Sequence, residues 1–318
     1  TIFACVIGTS AQSQVNLTAE TTTPGGATYL SPAHLAEIAG TRGIANIQLT
    51  DGQTLTNSIQ NVAEGKTDIA TSPYVLPFLM SRGLGPYGSL GVERGAELAE
   101  NLRVINPFTL GIYFLTAYDS KNLDGWNDLK DRKIYNGPPR GGALRNARSI
   151  IKIVSRLKEG KDYEGIQVNW GQATKLVVSR EPDAIVIPLV FRGSNLSTMV
   201  AAGAITSWSI PKAIHEGEAM QKYMATPGST PFIMPMTDLK GIMGPDWRFI
   251  SEDDMFRGVA MIGGSVVHKN MDDALVYSLV SAYVATLQQL MAKAPYGDTV
   301  NFDVPLQGMC GANPVKYH

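Results

Sequence analysis

After residue 11 the chain alternates short runs of β-branched and aromatic residues, turns rich in Gly, Ser and Thr, and segments whose apolar residues recur at helical spacing. That alternation predicts parallel-sheet α/β domains. In the first unit, Val15-Asn16-Leu17-Thr18-Ala19 reads as a strand and Thr23-Pro24-Gly25-Gly26 as a turn. A helix then starts near Thr28, with Leu30, His34, Leu35 and Ile38 on one face and Gly40 at its end. The second unit pairs a strand at 47–50 with a helix at 54–64 that presents Leu55, Ile59, Val62 and Ala63, and Gly65 stops it. Strands are expected at 67–71, 102–105 and 112–117, with the Gly- and Pro-rich stretch 73–95 between them as a long surface excursion.

The pattern restarts with a strand at 133–135, a loop at 136–142 and a helix at 143–157, and further strands are expected at 166–170 and 184–187. Residues 227–244 read as a Gly/Pro/Met-rich loop, and the apolar run 258–267 as a strand returning to the first module, where helices within 271–292 pack. The expected organisation is two lobes: residues 12–114 plus 262–318 form the first and 115–261 the second. Extended crossings near 112–118 and 257–264 join them, an arrangement that invites hinge closure around a cleft. No internal repeat or low-complexity tract is visible in the sequence.

Composition narrows the partners. With 44% hydrophobic and 17% charged residues among 318, the chain is ordinary globular protein. Lys+Arg 27 against Asp+Glu 28 leaves a net charge of −1, so no global positive field holds a nucleic acid. No run of about 18 or more apolar residues occurs to span a bilayer. Residues 1–11 are apolar and end in small residues, as the trimmed tail of a secretory signal does. The alternative is a first strand over 2–7. Cys5 and Cys310 are too few for a disulfide framework. His34, His215, His268 and His318 lack metal-ligand spacing, and no Gly-x-Ser-x-Gly elbow or cofactor motif appears.

Candidate chemistry sits where strands give way to helices. Gly25-Gly26-Ala27-Thr28-Tyr29 would present free N–H groups and a positive helix end to an anion, with the Thr28 and Tyr29 hydroxyls orienting it; otherwise it is only a turn. Asn136-Gly137-Pro138-Pro139-Arg140-Gly141-Gly142 repeats the arrangement, and two such helix starts would clamp one anionic ligand. The planar fork of Arg140 suits a carboxylate, phosphonate or sulfonate, unless it is a solvated loop charge. Thr54, Thr56 and Asn57 either read a polar ligand or, for Thr54, cap a helix. Thr71, Ser72, Trp170 and Gln172 lie at the carboxyl ends of expected strands, where open α/β sheets bind ligands. Trp170 serves there as an apolar wall or as ordinary core.

In order and spacing, several of these motifs resemble the TAXI-type substrate-binding proteins of tripartite ATP-independent periplasmic (TRAP) transporters. They are Gly25-Gly26-Ala27-Thr28-Tyr29, the helix start at 54–57 with Glu64-Gly65-Lys66-Thr67-Asp68-Ile69-Ala70, Asp128-Leu129-Lys130-Asp131-Arg132-Lys133-Ile134, and Gly137-Pro138-Pro139. Lys316-Tyr317-His318 is similar to the lead-in of the family's terminal His-Pro-Gly-Ala, which implies a chain that stops just inside its natural end. The resemblance implies a two-lobe α/β fold of the type II periplasmic-binding class, two mixed domains joined by two hinge strands. It further implies a periplasmic monomer without cofactor that captures a small organic anion, such as glutamate, 2-oxoglutarate or another dicarboxylate, and delivers it to a membrane permease. Ligand contacts carry over onto Gly26, Thr28, Tyr29, the turn at Thr54, Thr56 and Asn57, Thr71, Ser72 and the loop from Pro139. Where the family usually has Gly-Ser-Gly-Thr, this chain has Arg140-Gly141-Gly142-Ala143, which removes two hydroxyls and adds a charge. Two alternatives stand beside this reading: a ligand sensor, and an enzyme such as a transferase on the same scaffold, for which Cys310 is the one candidate thiol.

Overall fold

The computed structural model describes residues 14–191, 193–242, 244–293 and 315–318. Strand β1 (Val15–Glu20) buries Leu17 and Ala19 and exposes Asn16 and Thr18, the alternation of a strand with one covered face. Helix α1 (Ala27–Thr41) packs Leu35, Ile38 and Ala39 into the same core as Ala45 and Ile47 of β2 (Ala45–Thr50). Then come α2 (Leu55–Ala63) and β3 (Ile69–Pro73), and β1 pairs in parallel with both β2 and β3. Gly65, at φ 71, closes α2 with a conformation that favours glycine.

The stretch 73–95 is not a surface excursion. It forms α3 (Val75–Ser81), a 3-10 turn (Gly85–Leu90) and the first part of α4 (Gly91–Ala99), and it buries Tyr74, Leu76, Leu79, Met80 and Tyr87. Its glycines mislead because one of them is a packing residue: a Cβ on Gly95 would stand 2.1 Å from the Met80 carbonyl oxygen, so α4 closes on α3 only without a side chain there. The strands expected at 102–105 and 112–117 are divided differently as well. A single strand, β4 (Leu102–Tyr113), runs through Pro107, and β5 (Leu115–Tyr118) begins after Phe114 in the other sheet.

Two 3-10 turns (Asp119–Lys121 and Trp126–Leu129) lead to β6 (Lys133–Tyr135), α5 (Gly142–Ser155), β7 (Glu164–Ile166) and α6 (Trp170–Val178). The strand expected over 166–170 thus ends at Ile166, and Trp170 opens a helix. Next are β8 (Ala184–Ile185), β9 (Pro188–Leu189), α7 (Ser194–Ala202), β10 (Ile205–Trp208), α8 (Lys212–His215) and α9 (Glu218–Met224). Residues 227–244, expected as loop, contain β11 (Ser229–Pro235) and α10 (Met236–Ile242). The chain continues through β12 (Trp247–Ile250), β13 (Met255–His268), α11 (Asp273–Ala285), α12 (Leu287–Lys293) and β14 (Lys316–Tyr317). Among the described residues no single helix is long and apolar enough to cross a membrane.

The first sheet runs β14-β4-β13-β3-β1-β2 and the second β12-β10-β5-β8-β6-β7. Both contain one motif, a parallel trio (β2-β1-β3 or β7-β6-β8), then an antiparallel insert (β13 or β5), then a strand antiparallel to that insert (β4 or β10). A topology repeat is therefore present where the sequence shows none. The long antiparallel pair β4 and β13 connects the two lobes. Its outer half lies between β14 and β3, and its other half is flanked by β9 and β11. Register shifts between Met261 and Ile262 and between Ser265 and Val266 mark irregularities of the bulge type, which bend strands. Beyond them Tyr113, Val259 and Met261 enter one core of the second lobe, and Ile112 and Ala260 enter the other.

Candidate functional site

Strands β1 and β3 are parallel neighbours, so residues following each emerge on the same rim of the first lobe. Six residues, 21–26, join β1 to α1. Gly25, at φ 113, takes a backbone conformation that favours glycine, and Gly26 is extended and precedes the helix with no side-chain cap. The Tyr29 and Leu30 N–H groups close on the Gly26 carbonyl at 3.1 and 3.0 Å, while those of Ala27 and Thr28 have no acceptor within the helix.

A feature that pattern reading missed fixes this corner. Pro32 lies inside α1 and has no N–H, so the Thr28 carbonyl one turn earlier is without its helical donor. Two buried hydroxyls replace it: Thr71 Oγ1 donates to that carbonyl at 2.8 Å, and Thr21 Oγ1 donates as well. Thr28 Oγ1 in turn pairs with Thr22 Oγ1 at 2.6 Å. Ser72 is buried beside Thr71 and donates to the Pro73 carbonyl at 3.3 Å, and Tyr29 is half-buried. At the neighbouring helix, Thr54 is exposed and precedes α2 without a side-chain cap bond; its carbonyl accepts from the Asn57 and Ser58 N–H groups. The Thr56 carbonyl accepts from Tyr87 Oη at 3.0 Å, and the Asn57 side chain faces solvent.

The second lobe repeats the design. Six residues, 136–141, join β6 to α5, with Gly137 at φ 114 and Gly141 at φ 101. The buried Asn136 anchors this loop: its Nδ2 donates to Glu159 Oε2 at 2.6 Å and its Oδ1 accepts from Gln167 Nε2 at 2.8 Å. Arg148 forks onto the Glu159 carboxylate, with Nε donating to Oε2 at 2.8 Å and Nη2 to Oε1. That guanidinium, helped by Asn136 and Gln167, holds the Glu159 carboxyl below the usual range against the opposing effect of burial. Pro139 and Arg140 are exposed, and Arg140 has no ion-pair or hydrogen-bond partner among the described residues.

The start of α5 reaches the first lobe. A Cβ on Gly142 would stand 3.2 Å from Val75 Cγ1 in the first turn of α3. The same turn is tied to both connecting strands, since Tyr113 Oη of β4 donates to the Ala143 carbonyl at 3.1 Å and Asn146 Nδ2 donates to Met261 Sδ of β13 at 2.9 Å. Gly26, Thr28, Tyr29, Thr71 and Ser72 therefore follow β1 or end β3 at one rim, and Gly142, which ends the turn carrying Pro139, Arg140 and Gly141, approaches Val75 just after β3. Trp170 is half-buried against the core under α6, and Gln172 is exposed on that helix. Residues 1–11 and Cys310 lie outside the described residues.

The sequence profile of the NMT1-like family matches residues 20–310. No curated protein matches the chain. Among solved structures, one described as a periplasmic transporter is similar at a TM-score of 0.57 and 11% identity over 95% of this chain and 93% of that one. A protein from Bordetella bronchiseptica RB50 gives 0.51 and 17% over 95% and 87%. A TRAP periplasmic solute-binding protein from Ralstonia eutropha H16, solved with (S)-2-acetolactate, gives 0.48 and 14% over 96% and 87%. With the first two likenesses and the sheet orders above, the fold is two mixed α/β lobes of the type II periplasmic-binding-protein class.

Proposed function

Because the chain belongs to the NMT1-like family, we propose that it is an extracytoplasmic solute-binding protein that captures a small organic anion between its lobes. The observation that carries this reading is Arg140, an exposed and unpaired cation beside the point where α5 meets the first lobe at Val75. First-turn N–H groups of α1 and α5 would share the ligand's acid groups with that guanidinium. The rigid threonine corner of the first lobe supplies a fixed wall, with Gly26, Thr28 and Tyr29 in contact and Thr71 and Ser72 behind them. The turn at Thr54, Thr56 and Asn57 borders the ligand on one side, and Trp170 and Gln172 border it on the other.

In this reading the lobes are residues 12–114 plus 262–318 and residues 115–261, hinged on β4 and β13. The protein works as a monomer in the periplasm and hands its ligand to a TRAP permease, as the TAXI-type resemblance implies. The charge at Arg140 selects a ligand with more negative charge, or a differently placed acid group, than relatives with Gly-Ser-Gly-Thr at that place would take; dicarboxylates fit. A thermal-shift screen against mono- and dicarboxylates, amino acids and sulfonates tests it. A ligand at roughly a thousand times its Kd adds about 4 kcal/mol of apparent stability. Arg140→Ala is expected to weaken the best anion by roughly 10–100-fold while leaving the unliganded melting temperature unchanged. A silent panel, or full affinity in Arg140→Ala, overturns the proposal.

A further inference from the structure

On the face of the second sheet that packs against α5, and lined by none of the residues assigned to the cleft, lies an open cavity of about 330 Å³. That is the lower end of the range for small-molecule pockets, about 300–1,000 Å³. We propose that it is a second binding site, for a small organic cation that carries an apolar body and one hydrogen-bond acceptor. The site is independent of the anion-binding reading and has the opposite charge preference.

The walls set the apolar requirement. Trp126, Trp208, Pro211 and Ile214 line the cavity, and indole faces attract cations. The rim sets the charge. Asp124 and Glu252 line it and, among the described residues, no basic one does. The Asp124 carboxylate is exposed and has no partner among the described residues; Glu252 accepts only a backbone N–H, that of Lys212.

The two indoles set the acceptor. Trp126 Nε1 donates to the Ser209 carbonyl at 3.0 Å and is fully engaged. Trp208 is 5% exposed, and its Nε1 has no hydrogen-bond partner among the described residues. A Cβ built on Gly125 would stand 3.5 Å from Trp208 Cδ1 and 3.8 Å from Nε1, and both residues line the cavity. A buried donor without a partner is costly, and an acceptor brought in by a ligand removes that cost.

Titration of the ¹⁵N-labelled protein, followed on the indole N–H signals of its four tryptophans, tests the site. Trp208→Phe serves to identify the Trp208 signal. Phenylalaninamide, which has the ammonium, the ring and a carbonyl acceptor, is expected to move that signal saturably downfield. Phenethylammonium, lacking the acceptor, is expected to bind more weakly, and phenylacetate to leave the signal in place. The surface double variant Asp124→Asn/Glu252→Gln is expected to weaken phenylalaninamide about tenfold, equivalent to about 1.4 kcal/mol. The proposal falls if phenylalaninamide leaves the Trp208 signal unmoved, if phenylacetate binds equally well, or if the double variant binds as the parent does. None of these outcomes bears on the anion screen.

Discussion

The carbonyl of Thr28 offers a direct test of how the first-lobe rim is built. In an uninterrupted helix it would accept from the N–H of residue 32, but residue 32 is proline, and the Thr21 and Thr71 hydroxyls donate instead. Replacing both by valine, nearly the same shape, leaves a carbonyl without its donors beside two fully buried side chains. The expected cost is about 1–3 kcal/mol, the usual penalty for a buried polar group left unpaired. In a Pro32→Ala background the restored N–H donates to Thr28, so the same pair of valines should cost far less. The coupling between the two changes is then about 1–2 kcal/mol, above the roughly 0.3–0.5 kcal/mol scatter of independent sites. Urea unfolding of the four proteins, compared at constant m, measures it. A double-valine cost equal in the two backgrounds would show that the hydroxyls do not stand in for the missing helical donor.

Two further outcomes follow from packing and charge. Gly95→Ala, favourable by about 1 kcal/mol in a free helix, should instead destabilise by about 3 kcal/mol or more, because its Cβ meets the Met80 carbonyl oxygen at 2.1 Å; a neutral melting temperature would contradict the α3–α4 contact. The Glu159 carboxyl is held below its ordinary value, so its contribution to stability is complete above about pH 5 and fades as pH falls through the lowered folded value. Acid titration should therefore shrink the stability advantage of the parent over Glu159→Gln, which keeps an acceptor for Asn136 but no charge; a difference constant from neutral pH to about pH 3 would refute the pairing.

Much of the fold is legible because it rests on local rules. The alternation in β1, the apolar face of α2 and Gly65 after it all carry the periods and stops that place elements. The errors fall where a tertiary contact reverses a residue's usual meaning. Gly95 signals a loop by composition but marks a helix crossing, and Pro107 signals a break yet lies in the middle of β4. The strand expected over 184–187 stops at Ile185 as β8, and the chain passes on to β9 at 188–189 in the other sheet. At the candidate site, Gly26, Thr28 and Arg140 are visible as motif residues. The contacts that fix the helix starts beside them come from distant positions: Thr71 lies 43 residues from Thr28, and Met261 lies 115 from Asn146. No local pattern joins such pairs, although a proline one turn inside an apolar helix does announce that the Thr28 carbonyl needs a donor from elsewhere.

The supports on the two rims differ in a way that bears on closure. In the first lobe, the hydroxyls of Thr21, Thr22, Thr28 and Thr71 bond to one another and to the Thr28 carbonyl, so that rim is fixed within its own lobe. In the second lobe, Asn136, Glu159 and Arg148 brace the loop from below, but the first turn of α5 is also fastened to β4 through Tyr113 and to β13 through Met261. Those are the strands that pass between the lobes. In the proposed hinge closure, a bend in them would carry the start of α5, and Arg140 just before it, as one piece relative to the first lobe. Any such motion starts from the Gly142–Val75 approach, which leaves little room for a side chain at Gly142, where a Cβ would stand 3.2 Å from Val75 Cγ1.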